Sequence, residues 1–216
     1  MRYYPIHLDL RGRLVAVIGG GAVAQEKVEG LLAAGARVKV VAPGLTPELA
    51  RLAAEGAVEH VARSFRDGDL EGAFLAVGER LGAAIDGAVW REAEARGIPC
   101  NVQDDLPHCS FIAASVVRRG DLTVTISTSG KAPALAVRLR QQLERQLGAH
   151  YARFLEIAGR LRAPLAERLP DSAARRELWY RLVDSDVLEL LGRGDDAGAR
   201  RRVAEITGVA LAEAGP

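Results

Sequence analysis

Two aspartates in succession, Asp104 and Asp105, close the run Asn101-Val102-Gln103-Asp104-Asp105. A carboxylate held beside a reacting carbon can take a proton from it, which makes such a pair a candidate for general-base work. Adjacent aspartates also serve as solvated turn residues, so this run draws its meaning from what shares its edge of the fold. The second candidate is Gly19-Gly20-Gly21-Ala22-Val23-Ala24, which fits Gly-x-Gly-x-x-Ala. In a dinucleotide fingerprint the first glycine permits a tight turn, and the second lets the backbone approach a pyrophosphate. The small third residue lets a helix pack on its strand. Helix-opening amides have no intrahelical partners and sit at the positive end of the macrodipole, so an anion belongs there. The other reading of the same residues is a tight turn with no ligand.

The surrounding elements favour the cofactor. Leu14-Val15-Ala16-Val17-Ile18 is an apolar β-branched run of strand length, followed by the glycines, a helical stretch to Ala34 and Gly35 as its stop. A second apolar strand covers 38–41. Strand, glycine turn, helix, strand is the context that the fingerprint requires. The second strand ends Val40-Val41-Ala42-Pro43-Gly44, without the carboxylate that usually binds the ribose hydroxyls and without a nearby arginine for a 2′-phosphate. NAD is therefore placed ahead of NADP, with backbone groups of Ala42 and Pro43 as candidates to hold the adenosine.

Further along, Thr46 as N-cap and Pro47 at the first turn open a helix over 47–55. Strands follow at 58–61, 73–77 and 98–102, with helical spacing of Leu81, Ile85, Val89 and Ala93 between the last two. The lead-in Tyr4-Pro5-Ile6-His7-Leu8-Asp9-Leu10 is apolar enough to pack beside the first strand. Alternating strands and helices predict a Rossmann-like α/β domain with a parallel sheet and ligands at the carboxyl ends of its strands. The last strand then delivers Asn101, Val102 and the aspartates to the edge that carries the glycines, close to where a nicotinamide would lie.

Past Val102 the pattern changes. Residues 115–126 read as two strands around Gly120-Asp121, and Pro133 opens a long helical pattern through Leu135, Leu139 and Leu143. From Ala149 onward the chain is helical, with breaks near Pro170, at 184–186 and at 192–194. The division expected is an NAD-binding domain over 1–112, a small α+β dimerisation region over 113–147 and a helical C-terminal domain over 148–216. An exposed hairpin followed by an amphipathic helix needs a cover, and a homodimer through 113–146 supplies one.

Bulk properties limit the partners. With 216 residues and a net charge of +1, no global field recruits nucleic acid or an anionic membrane. No apolar stretch approaches a bilayer's span, and Met1-Arg2-Tyr3-Tyr4-Pro5 lacks a signal peptide's apolar core. Cys100 and Cys109 form no CxxC pair and suit a reducing cytoplasm.

With these elements in order, the chain resembles the precorrin-2 dehydrogenase and sirohydrochlorin ferrochelatase family, the N-terminal module of sirohaem synthase. The likeness rests on Tyr4-Pro5-Ile6, residues 17–24, Gln25-Glu26-Lys27 and Val40-Val41-Ala42-Pro43. It continues through Cys100-Asn101-Val102-Gln103-Asp104-Asp105, Ser110-Phe111-Ile112 and residues 126–136. Two places depart from it. Val77-Gly78-Glu79-Arg80 stands where the family commonly has a Thr-Asp pair next to the cofactor, which makes Glu79 the candidate to take over the ribose contact. Thr128 replaces a serine found in relatives and keeps the hydroxyl.

The resemblance implies oxidation of precorrin-2, a reduced tetrapyrrole, to sirohydrochlorin, with NAD as cofactor and Val77 among the residues lining it. Asp104 stands at the position of the family's catalytic aspartate. The substrate's acetates and propionates call for cations and anion nests, for which Arg118, Arg119, Ser127, Thr128, Ser129, Gly130 and Lys131 are the candidates, with Arg138 and Arg140 behind them. A solvated or dimer-bridging basic face is the alternative for these residues. Gly130-Lys131 is no Walker motif, because Thr125 occupies the position of its first glycine. A bifunctional enzyme would also insert Fe(II) or Co(II) as a substrate, reusing Asp104 and His108, although a lone histidine in a loop is more often structural or solvated. No residues have the spacing of a resident metal site. A non-catalytic NAD-sensing module is the rival of another class; it would keep the glycines and need no acid at Asp104.

Overall fold

The computed structural model describes residues 3–211, which form two compact units meeting in sequence at Ala113 and Ala114. The first holds β1 (Leu14–Ile18), α1 (Ala22–Ala33), β2 (Arg37–Val41), α2 (Pro47–Ala54), β3 (Val58–Val61), β4 (Leu75–Gly78), α3 (Ala83–Arg96) and β5 (Cys100–Val102). Its five strands are all parallel, in the order β3-β2-β1-β4-β5. Side chains alternate across a strand, and β1 has no polar residue because both its faces are covered. Val15 and Val17 pack with Ala24 and Val28 of α1 and Leu49 of α2 on one face. Ala16 and Ile18 pack with Val89 and Ala93 of α3 on the other. Gly35 and Gly97, both in the left-handed region, terminate α1 and α3.

One expectation fails here. The lead-in does not pack beside β1: Tyr4, Ile6 and Leu8 are exposed, and of its residues only Leu10 joins the core. Both edges of β1 are taken, by β2 and β4, so no strand can be added there. A short 3₁₀ turn, Leu106–His108, follows β5 and was not foreseen. Beyond it Cys109 bridges back antiparallel to Asn101, the Ser110 amide donates to the Cys100 carbonyl at 2.9 Å, and the Cys100 amide donates to Ser110 Oγ at 2.8 Å.

The second unit starts with the antiparallel hairpin β6 (Ser115–Arg119) and β7 (Leu122–Ile126), turning at Gly120 with φ of 57°. Five helices follow: α4 (Pro133–Gln146), α5 (His150–Arg168), α6 (Ser172–Val183), α7 (Val187–Gly192) and α8 (Asp196–Thr207). The interruptions between α5 and α8 fall at the three breaks expected from sequence. Phe154, Leu161, Leu165, Leu178, Leu182, Val187, Leu191 and Val203 form their common core.

Candidate active site at the carboxyl edge of the sheet

The strand order reverses at β1, whose chain continues through α1 to β2 on one side while β4 lies on the other. Such a switch point opens a crevice at the carboxyl ends of the two strands. The backbone partners Ile18↔Val41, Ile18↔Gly78 and Gly78↔Val102 put four strand ends level with one another. The glycine turn, Glu79 and the aspartate loop therefore leave the sheet at the same height. β5 runs two strand spacings from β1, about 10 Å.

The three glycines do different work. Gly19 has φ of 122°, a region that side-chain-bearing residues rarely occupy. A Cβ on Gly20 would lie 2.0 Å from the Gly44 carbonyl oxygen, so this glycine fits one loop against another, and the Thr46 amide donates to its carbonyl at 2.9 Å. Gly21 is the N-cap of α1 and has no side chain to satisfy the helix amides. Of the other residues expected around a dinucleotide, Ala22 is exposed and Val23 half-buried. The Ala42 carbonyl bonds His60 Nε2 at 3.0 Å while Pro43 is exposed. Val77 and Val102 are buried in the core.

Glu79, the candidate for the ribose contact, is engaged at the start of α1. Its amide donates to the Ile18 carbonyl at 2.8 Å, extending the pairing of β4 with β1. Its side chain crosses to the start of α1, where Oε2 accepts from the Gly21 amide at 3.0 Å and Oε1 from the Ala24 amide at 3.1 Å. A Cβ built on Gly19 or Gly21 would meet the Glu79 side chain first. An anionic group thus lies directly against the amides of the glycine turn, the contact that a pyrophosphate would make.

On the aspartate loop Asp104 is exposed and adopts φ of 55°, and its carbonyl accepts from Arg80 Nη1 at 2.9 Å. Asp105 is occupied: its Oδ2 lies 2.8 Å from His108 Nδ1 across the 3₁₀ turn. The His108 ring is tilted against Trp90 at 5.9 Å, and the histidine therefore has structural work to do. The Asn101 amide group is buried and donates to the Phe111 carbonyl at 3.0 Å and toward Cys109 Sγ at 3.4 Å, holding the returning segment instead of facing the crevice. Burial, and after it the neighbouring Cys109, pushes the Cys100 thiol up to about 12. Among the described residues, no three His, Cys, Asp or Glu side chains gather where a metal could be held.

The residues expected to face substrate carboxylates lie in the second unit. Arg118 and Lys131 are exposed. Arg119 is not available: Nε donates to the Leu147 carbonyl at 2.6 Å, Nη2 to the Glu144 carbonyl at 2.9 Å and Nη1 to the Arg118 carbonyl at 2.8 Å. It covers the unpaired carbonyls at the end of α4, a common use of arginine. Arg140 pairs with Glu144 one turn along the same helix. Ser127 to Lys131 form a tight loop before α4, in which Ser127 Oγ accepts from the Ser129 amide at 3.1 Å and Thr128 Oγ1 from the Ala132 amide at 3.2 Å. Ser129 and Gly130 both have positive φ.

A doubly wound parallel sheet with a glycine turn at its switch point defines a dinucleotide-binding protein. The chain belongs to the family described as putative NAD(P)-binding, matched over residues 6–115, in the form found in sirohaem synthases: residues 119–146 match the sirohaem biosynthesis protein central region and residues 150–206 the sirohaem synthase dimerisation region. The matched dimerisation region lies C-terminal to the hairpin and helix where the dimer contact was expected. Siroheme synthase 1 of Serratia proteamaculans is 38% identical over 203 residues, 94% of this chain and 43% of that protein. Siroheme synthase 1 of Aeromonas salmonicida is 41% identical over 225 residues, covering 100% of this chain and 48% of the relative. Siroheme synthase 1 of Pectobacterium atrosepticum is 43% identical over 194 residues, 90% and 40% of the two chains. The chain thus spans less than half the length of these relatives. Among solved structures, SirC, a precorrin-2 dehydrogenase, shares the fold with a TM-score of 0.75 at 24% identity, over 94% of this chain and 100% of its own.

Proposed function

We propose that the chain is an NAD-dependent precorrin-2 dehydrogenase forming sirohydrochlorin. The observation that carries this reading is the level placement, on one sheet edge, of amides that hold an anion and of an exposed aspartate at the family's catalytic position. NAD⁺, when bound, supplies the hydride acceptor. The amides of Gly21 and Ala24, which hold the Glu79 carboxylate in its absence, would hold its diphosphate. Loss of hydride from one carbon of the macrocycle must be matched by loss of a proton, and the Asp104 carboxylate accepts it. Within the second unit, Arg118, Lys131 and the Ser127–Gly130 loop are the candidates for carboxylate recognition; Arg119 is left out because its donors are spent on α4. Dehydrogenation alone is proposed, since His108, which metal insertion would call on, is engaged by Asp105. The buried thiols of Cys100 and Cys109 suit a reducing compartment, and we place the reaction in the cytoplasm on that ground. The proposed working form is a homodimer, supported by the match to a dimerisation region.

The decisive experiment is Asp104→Asn, followed by sirohydrochlorin absorbance with NAD⁺ and precorrin-2 generated in situ. Asparagine tolerates the left-handed backbone at this position, so the substitution removes the base without straining the loop. Turnover is expected to fall about 10²–10⁴-fold with NAD⁺ affinity unchanged. Turnover at the wild-type rate would remove Asp104 from the mechanism.

A further inference from the structure

The mechanism leaves Glu79 unused, although its carboxylate lies on the two amides that the diphosphate needs. We propose that Glu79 is a resident competitor for the dinucleotide and sets its affinity by occupying the diphosphate position until it is displaced. The inference rests on the NAD-binding reading above and concerns this residue's part in it.

Several independent features point the same way. α1 has no acidic residue in its first turn and its N-cap is a glycine, so the helix cannot satisfy its own opening amides. Glu79 reaches them from just past β4, 58 and 55 residues away in sequence, and a single carboxylate takes the N-cap amide and the third amide of the helix together. These are charge-assisted bonds at the positive end of a helix, the same interactions that a phosphate oxygen would make. The backbone bond from Glu79 to Ile18 anchors the side chain at the switch point, so the carboxylate is delivered to this position by the sheet. The Glu79 side chain is also the nearest obstruction above both Gly19 and Gly21, the surface that the fingerprint keeps clear. Two anions cannot share these amides. Binding must therefore break both Glu79 bonds, and the apparent affinity is lowered by the fraction of molecules in which the carboxylate is in place.

A residue that only caps α1 and one that competes with a ligand make opposite predictions. Glu79→Gln and Glu79→Ala should lower the melting temperature of the cofactor-free protein, because α1 loses its cap. The same variants should bind NAD⁺ more tightly, by about tenfold, as measured by calorimetric titration without tetrapyrrole. Glutamine retains the volume of the side chain and one acceptor, so it serves if the alanine variant does not fold. Unchanged NAD⁺ affinity in a folded variant, with wild-type binding intact, overturns the inference and leaves the cofactor reading standing. Weaker binding also overturns it, because the carboxylate would then be a ligand of the cofactor. No NAD⁺ binding by wild type or variants overturns the cofactor reading and the inference with it.

Discussion

Residues of one type can be put to unlike uses, as Asp69 and the aspartates after β5 show. Asp105 is spent on His108, whereas Asp104 is exposed on a left-handed turn that asparagine or glycine would also accept. Asp69 is the buried case. Both Arg63 Nη atoms donate to it at 2.7 Å and the Arg66 amide at 2.8 Å. The Arg63 guanidinium, with help from that amide, holds its carboxyl below the usual carboxylate range against the opposing effect of burial. A carboxyl whose folded value is depressed stabilises fully above its unfolded value, about 3.9, and loses that contribution as pH falls through the folded value. Asp69→Asn should therefore cost about 1–3 kcal/mol at neutral pH. The gap from wild type should hold from pH 7 down to about 4 and narrow only below that, which melting curves carried well below pH 4 would check. A gap independent of pH would mean that the charge does not matter. Residue types and spacing made Asp104 and the glycines candidates. They could not mark Arg119 as a helix cap or Asn101 as a clasp, because both roles depend on carbonyls 10 to 28 positions away.

At the scale of elements, the sheet and its turns follow from local pattern. Apolar β-branched runs, glycine stops and the Thr46 cap, which accepts from the Leu49 amide at 3.2 Å, are short-range signals, and the elements form where they occur. The lead-in could not be read in this way, since its apolar residues are locally indistinguishable from a strand and only the occupied edges of β1 exclude it. Glu79 is a similar case: the sequence shows a carboxylate after β4, and only the strand order brings it to α1. The loop following β1 and the loop following β2 are fitted together at Gly20, with Thr46 Oγ1 also donating to Gln25 Oε1 at 2.8 Å. Gly20→Ala would force a methyl against the Gly44 backbone, which cannot swing away as a side chain would. We expect a loss of about 1–3 kcal/mol in chemical denaturation, together with weaker NAD⁺ binding because the turn is displaced. Wild-type stability would show that the two loops separate easily.

For the molecule as a whole, the helical half was legible to the extent of its breaks: Pro170, the aspartates at 184–186 and the glycines at 192–194 each interrupt a helix. How its faces are used was less so. α4 leaves Leu135, Val137 and Leu139 exposed, an apolar surface that a second copy of the chain could cover. Light scattering at micromolar concentration should give twice the 23.0 kDa of one chain. A single-chain mass would end the homodimer proposal.

The segment that returns along β5 has an effect of its own. By satisfying the outward-facing backbone groups of Cys100, it seals one margin of the sheet, so that no stray strand from another molecule can dock there. A protein crowded among its own copies is thereby protected on that side against growing into a ribbon.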